Sequence, residues 1–295
     1  LVGFTKLVGL AIMDSQMELS DVKRKCNAST DALAKKPEAG LRRFKVTYEK
    51  KVKSLGAGLA GGRRRNTDVQ KTRHKDSKKR IKKFRRLERI GVKADKLLRT
   101  GGTKAMTYGE GIMGVSDSML RNQRRTTGTA SSPAGGPGGQ NLDIQLMLTD
   151  GGPKGKADPA FDAHELPIGQ WAMAVWETWQ PRCIMIRTVA VKLPILIRAP
   201  RPWSRVYGPA AAFITTCARL RWTVIDAFNV VTDNGQPLNL TVDPPAEVVR
   251  QVAVAVRRWR WRNIEKAIPQ LKMGEHEQAA VMQPIWSLLT SRQND

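Results

Sequence analysis

Residues 63–100 read RRRNTDVQKTRHKDSKKRIKKFRRLERIGVKADKLLRT, and the rest of the chain is best understood from them. Seventeen are Lys or Arg, against four acids, Asp68, Asp76, Glu88 and Asp95. The 295-residue chain has a net charge of +25, so about an eighth of its length holds half of the imbalance. Within the run, Ile81, Phe84, Leu87 and Ile90, then Leu97 and Leu98, recur at three- and four-residue steps. That spacing predicts one apolar stripe on a helix, with cations around the remainder of the cylinder. A tail that only attracts phosphates has no use for a stripe. The helix is therefore expected to dock on a folded body and to hold fixed positive charge on its outer face. Polyanion binding is the natural use of such a face. The candidate phosphate contacts are Arg63, Arg64, Arg65, Lys71, Arg73, Lys75, Lys78, Lys79, Arg80, Lys82, Lys83, Arg85, Arg86 and Arg89. Gly91 is expected to divide the helix, and Gly101-Gly102 to end its second piece.

Before this stretch, Phe4, Leu7, Val8 and either Ala11 or Ile12 share one helical face, and KKPEAG at 35–40 reads as a turn. Leu41, Phe44, Val46 and Val52 suggest two half-buried extended segments ending at KSLG (53–56), with GAGLAGG a flexible turn. After it, Thr103 is expected to cap a short helix through Met106 and Tyr108, stopped by Gly109–Gly111. Ser116 then caps SDSMLRNQRR, with Asp117 on the positive end of the helix dipole. Residues 128–141, rich in Gly, Ser and Pro, read as a flexible linker and as the domain boundary. Beyond it, NLDIQLMLTD suggests a short helix and DGGPKGKADPAFDAHELP a loop. IGQWAMAVWETW (168–179) suggests a helix with an aromatic face. CIMIRTVAVKLPILI (183–197) is apolar enough to be buried, and AAAFITTCARL (210–220) is a compact helix. A β-hairpin is expected over 222–242, with Asn234-Gly235 supplying the positive φ values of a tight turn. Pro244-Pro245 open a long helix with Val248, Val252, Val256, Trp259 and Ile264 inward. The expected class is mainly α with minor β (α+β).

Composition narrows the function. A pI near 10.5 with 6% aromatic residues fits nucleic-acid association better than small-molecule metabolism. Cys26, Cys183 and Cys217 are odd in number and far apart, which supports neither a disulfide framework nor a zinc site, and a reducing compartment is the default. The opening LVGFTKLVGLAIM lacks the basic start and small-residue cleavage site of a signal peptide, and no apolar run approaches the roughly 20 residues of a membrane span. Nucleus or cytoplasm is expected, with no membrane partner. The chain also starts at Leu1, which reads as an interior helix of a longer protein.

The candidate sites are weak one by one. Gly56, Gly58 and Gly61 form a GxGxxG with Asp76 downstream, but charged KKVKS and RRRN flank it where a dinucleotide fold needs an apolar strand and helix. His74, His164 and His276 are isolated, and no second histidine follows His164-Glu165 at zinc-protease spacing. Asp150, Asp158 and Asp162 lack calcium-loop spacing. The run RRWRWR sets Arg257, Arg258, Arg260 and Arg262 around two tryptophans, as base-stacking surfaces do. On a helix, Trp259 and Trp261 point apart by roughly 200°, so one of them is expected in the core.

Taken together and in order, residues 14–127 resemble the back half of a reverse transcriptase from a non-LTR (LINE-like) retroelement. Leu19-Ser20-Asp21-Val22-Lys23 matches that family's L-(N/S)-x-x-K segment, and Ser54-Leu55-Gly56 stands where its primer grip has aromatic-Leu-Gly. A basic helical thumb follows in the family, then a helix ending in Tyr-Gly, here Tyr108-Gly109. The resemblance implies a palm remnant over 1–62, a thumb-like region over 63–127, and an α-rich post-polymerase domain over 142–295. It implies RNA or DNA template-primer as the partner, a missing N-terminal polymerase portion, and magnesium as the cofactor of the intact enzyme. It gives Lys23 the place of a lysine near the leaving pyrophosphate. The family's paired catalytic aspartates have no counterpart here, since Asp14 stands alone in IMDSQ, so the fragment is expected to bind without catalysing and to need no cofactor itself. The rival class is a structural RNA- or chromatin-associated basic protein.

Overall fold

A computed structural model of the chain describes residues 51–54, 57–60, 66–92, 94–131, 142–149, 156–178 and 180–267, all within one compact unit. The expected helix at 1–13, the Leu41–Val46 segment and the last twenty residues lie outside the described residues. The first elements are two paired strands, β1 (Lys51–Ser54) and β2 (Ala57–Ala60), antiparallel with Ser54 opposite Ala57. Part of GAGLAGG, Ala57–Ala60, is therefore strand rather than free turn.

The basic helix α1 runs from Asp68 to Arg89, and Gly91 in the left-handed conformation (φ 87°) divides it from α2 (Ala94–Leu97). Gly101-Gly102 do not end the second piece. They lie in a π-helical turn, Leu98–Gly102, that runs on into α3 (Thr103–Thr107). Phe84 of α1 sits beside Leu98, Gly102 and Met106, so the ring takes the space that a side chain at 102 would need. Thr103 is helical rather than a cap, and its hydroxyl donates to the Ala157 carbonyl at 2.9 Å. Gly109 at φ 83° makes the sharp turn from α3 into α4 (Glu110–Met113), a backbone state that costs glycine nothing. Ser116 caps α5 (Asp117–Ala130) as expected, its Oγ accepting from the Met119 amide at 3.4 Å.

Helix α5 also revises the expected linker. Gly128–Ala130 are its last residues and are mostly buried, while 132–141 lie outside the described residues. Nor does this stretch separate two cores. α6 (Leu142–Thr149) packs on α5, and the long α7 (Pro159–Trp176) contacts α3, α4 and α5 from one side of the expected boundary. On the other side, α7 meets α9 (Gly208–Leu220) and α10 (Pro245–Ala267), which makes it the hub of the fold. Val115 and Leu120 join Phe161, Ile168, Trp171, Phe213, Val252 and Val256 in one apolar core. The loop expected over 150–167 is half helix. Asp158 caps the Ala160 amide at 2.9 Å and Pro159 stands at the first helical position, where its missing N–H is not needed. Pro167 is tolerated inside α7.

The stretch 183–197 forms helix α8 (Arg182–Ile197) rather than a buried segment. Met185, Val189 and Leu196 face α9, whereas Ile184, Ile186, Val191, Ile195 and Ile197 are exposed. A short 3₁₀ turn, Pro202–Arg205, leads into α9. The expected hairpin is present as a three-stranded antiparallel meander of β3 (Thr223–Val224), β4 (Asn229–Val231) and β5 (Pro237–Asn239). Only Gly235 of the Asn234-Gly235 pair has positive φ, at 82°. With the Gly235 amide on the Thr232 carbonyl at 3.0 Å, the turn is a three-residue loop closed by one left-handed residue. The molecule is mainly α with minor β. Among the described residues no helix is long and apolar enough to cross a membrane.

Candidate nucleic-acid interface

Helix α1 docks by a face that is polar at one end and apolar at the other. Gln70, His74, Ser77, Ile81 and Phe84 follow four- and three-residue steps, and this is the inward face. The Gln70 amide donates to the Gly114 carbonyl at 2.7 Å, and His74 Nε2 lies 2.9 Å from Thr126 Oγ1 on α5. Burial, with Lys78 beside it, lowers the His74 pKa, so the ring sits neutral in the seam. Ile81, Phe84 and Leu87 are half-buried as the sequence predicts, but Ile90, just past the end of the helix at Arg89, is 72% exposed. At the N-terminal end, Gly58 of β2 lies against Asn66, where a Cβ would come 2.7 Å from the Asn66 carbonyl. The hairpin and the foot of the basic helix are thereby in contact.

The outward face is cationic. Lys71, Lys75, Lys78, Lys79, Arg80, Lys82, Lys83, Arg86 and Arg89 are exposed. At about 100° per residue, seven of them, Lys71 through Arg86 without Arg80, fall within an arc of roughly 140°. They follow one another over about 22 Å of axis, close to one cation per phosphate spacing of a single nucleic-acid strand, about 3.4 Å. Five like-charge pairs four residues apart run down this stripe, each of them destabilising to the isolated helix. Asp76 relieves it at one place, 3.1 Å from Lys79. Arg73 is not part of the stripe: it donates to the Tyr108 carbonyl and lies 5.0 Å over the Tyr108 ring. Arg85 is half-buried. Lys23, Leu55, Gly56, Arg63, Arg64 and Arg65 lie outside the described residues, and of Ser54 only the backbone, at the end of β1, is described.

Two cations escaped the sequence reading. Arg121 and Arg125 are exposed on α5, each one residue before a partner of His74, Asn122 and Thr126. The signal was present in SDSMLRNQRR, but only the fold sets that helix beside the stripe.

The expected second patch is taken up in ion pairs. Arg258 donates to Asp233 at 2.9 and 2.5 Å, and Arg262 donates to the same carboxylate at 2.8 Å. Burial would raise the Asp233 pKa, but these two guanidinium groups outweigh it and hold the carboxyl down at about 2. Arg260 is 1% exposed, 3.3 Å from Asp158 and over the Phe161 ring, and Arg257 lies over the same ring. Trp259 packs on the core, as the helical geometry requires of one of the pair.

The remaining polar groups in the interior brace the fold. Asp158 is fully buried and accepts from Arg124 Nε at 3.0 Å and Nη2 at 2.9 Å. Arg124 also reaches Asp143 on α6 at 2.5 Å. Burial works against the charged form of Asp158, yet Arg124 and Arg260 keep its pKa below the ordinary value. Asp162 accepts from Thr107 at 2.7 Å and pairs with Lys104. His164 is fully buried, its Nδ1 2.6 Å from the Ala160 carbonyl, and burial with the nearby Arg219 pushes its pKa to about 3. Among the described residues no three His, Cys, Asp or Glu side chains stand together as metal donors. Asp158, Asp162 and Asp233 are each paired with cations. Compared with known protein families, curated proteins and solved structures, the chain matches none of them.

Proposed function

We propose that this chain is the nucleic-acid-gripping part of a retroelement reverse transcriptase, holding template-primer through phosphate contacts and contributing no catalytic carboxylates of its own. The observation that carries the binding half is the α1 stripe: seven exposed cations on one arc, backed by a helix face fixed to α3 and α5. A fixed row of cations meets a phosphate backbone without first having to be ordered. The contacts carry no base information, so binding is expected to be indifferent to sequence. The order of elements supports the polymerase half. A two-stranded antiparallel pair, Lys51–Ser54 with Ala57–Ala60, precedes the basic helix, and a left-handed Gly109 turns the chain after Tyr108. Arg73 fastens that Tyr-Gly corner to the basic helix.

Charge reversal of Lys79, Lys82, Lys83 and Arg86 should abolish most duplex binding while leaving the fold intact by circular dichroism, because none of the four is buried. Primer extension on a templated duplex, with magnesium or manganese supplied, should show binding and no incorporation. Incorporation above a no-protein control, lost when Asp14 or Asp21 is substituted, would overturn the non-catalytic half.

A further inference from the structure

We propose that the outward face of α8 is a docking surface for an acidic amphipathic helix of a partner protein, an interaction independent of the nucleic-acid reading. A helix that is apolar all round is normally enclosed on all sides. α8 is covered on one side, where Met185, Val189 and Leu196 meet α9. On the other side Ile184, Ile186, Val191, Ile195 and Ile197 are between 40% and 66% exposed. Several large aliphatic side chains exposed on one helix face mark an interaction site. At about 100° per residue, Ile184, Val191 and Ile195 line one edge of the exposed arc and Ile186 and Ile197 the other. Arg187, also exposed, stands between the two edges.

Arg187 and the surrounding charge choose the occupant. From residue 178 to 225 the chain has eight Lys or Arg and no acid. A second copy laid against α8 would bring like charge to like charge, with no carboxylate from this segment to meet Arg187. A lipid surface would take the same aliphatic side chains, but Arg187 points from the middle of the arc and would enter the hydrocarbon deepest, which is costly for a guanidinium. A partner helix with leucines at three- and four-residue steps and a carboxylate among them satisfies both features. The aliphatic edges pack against its apolar face, and Arg187 takes a bidentate carboxylate. The exposed cations Arg182 and Arg198 at the two ends of α8 add attraction for further acids on that helix.

The probe is a labelled peptide of about eighteen Glu and Leu residues with helical leucine spacing, long enough to run the roughly 24 Å of α8. Polyglutamate of equal charge serves as control for attraction to the basic helix. Anisotropy should show saturable peptide binding. The double variant Val191→Ser, Ile195→Ser changes no charge and should weaken it about tenfold or more. Arg187→Glu should weaken it similarly and Arg187→Lys less, while polyglutamate binding should not change with any of these. The proposal is overturned if the peptide fails to bind, or if it binds the double variant as tightly as the parent. Two further results also overturn it: co-sedimentation with phosphatidylserine vesicles that the double variant loses, and a dimer in analytical ultracentrifugation that the double variant dissolves. The first would make the face a lipid surface, and the second a self-association surface.

Discussion

Acidification should destabilise this protein through His164 before the paired carboxylates of Asp158 and Asp233 are protonated. The ring is fully buried, and Nδ1 lies on the Ala160 carbonyl, so Nδ1 carries the proton and Nε2 is the site that must charge. Burial, with Arg219 nearby, depresses the pKa from 6.5 to about 3. Between those values the unfolded chain binds a proton that the folded protein refuses, so stability is full above 6.5 and falls as the pH drops through that window. The slope is about 1.4 kcal/mol per pH unit, so near pH 4.5 the loss is about 2.7 kcal/mol. Glu165 opposes part of this, since burial raises its pKa and its carboxyl gains a proton more readily in the fold. His74 adds to it, being likewise depressed by burial. Asp158 and Asp233 lie below their ordinary value of 3.8 and lose their contributions only at lower pH. The assay is urea unfolding at several pH values from about 7.5 to 4.5, on the parent and on His164→Leu. The variant keeps the background from Glu165 and His74 but loses the His164 increment, so its slope should be shallower. Equal slopes in the two proteins would refute the assignment of a neutral, buried His164.

Arg124→Met removes the guanidinium that bridges Asp143 and Asp158, and should cost about 3 kcal/mol or more in chemical unfolding. Asp233→Asn should lower stability by about 1–3 kcal/mol by weakening two arginine contacts. The freed Arg258 and Arg262 should then strengthen weak binding to a duplex, a gain seen in the same anisotropy titration as the parent's. Phe213→Ala, in the centre of the core and stacked on Trp171 at 5.3 Å, should cost about 3–5 kcal/mol in the same unfolding assay.

The features legible in the sequence are those whose signal is local. Ser116 as a cap, the long helix after Pro244-Pro245, and the meander around Gly235 each rest on residues within a few positions. The inward end of α1 was illegible for a definite reason: Gln70 and His74 are polar and gain their burial from a carbonyl and a hydroxyl over forty residues away. Asp158-Pro159 is a helix start that Pro167 and the surrounding glycines disguised. Arg257, Arg258, Arg260 and Arg262 looked like a basic surface because Asp158 and Asp233 approach only in the folded chain. α8 misled in the opposite direction. Its composition suggests full burial, and the described fold covers one side of it.

The reading of α1 as a phosphate-binding stripe stands or falls on a salt titration. Affinity for a labelled duplex is measured by anisotropy across a range of low to moderate salt. With about five to six phosphates engaged, log K should fall against log salt with a slope of roughly −5, and duplexes of unrelated sequence should give the same line. An affinity that stays flat over that range, or a slope unchanged after reversing Lys79, Lys82, Lys83 and Arg86, would contradict it.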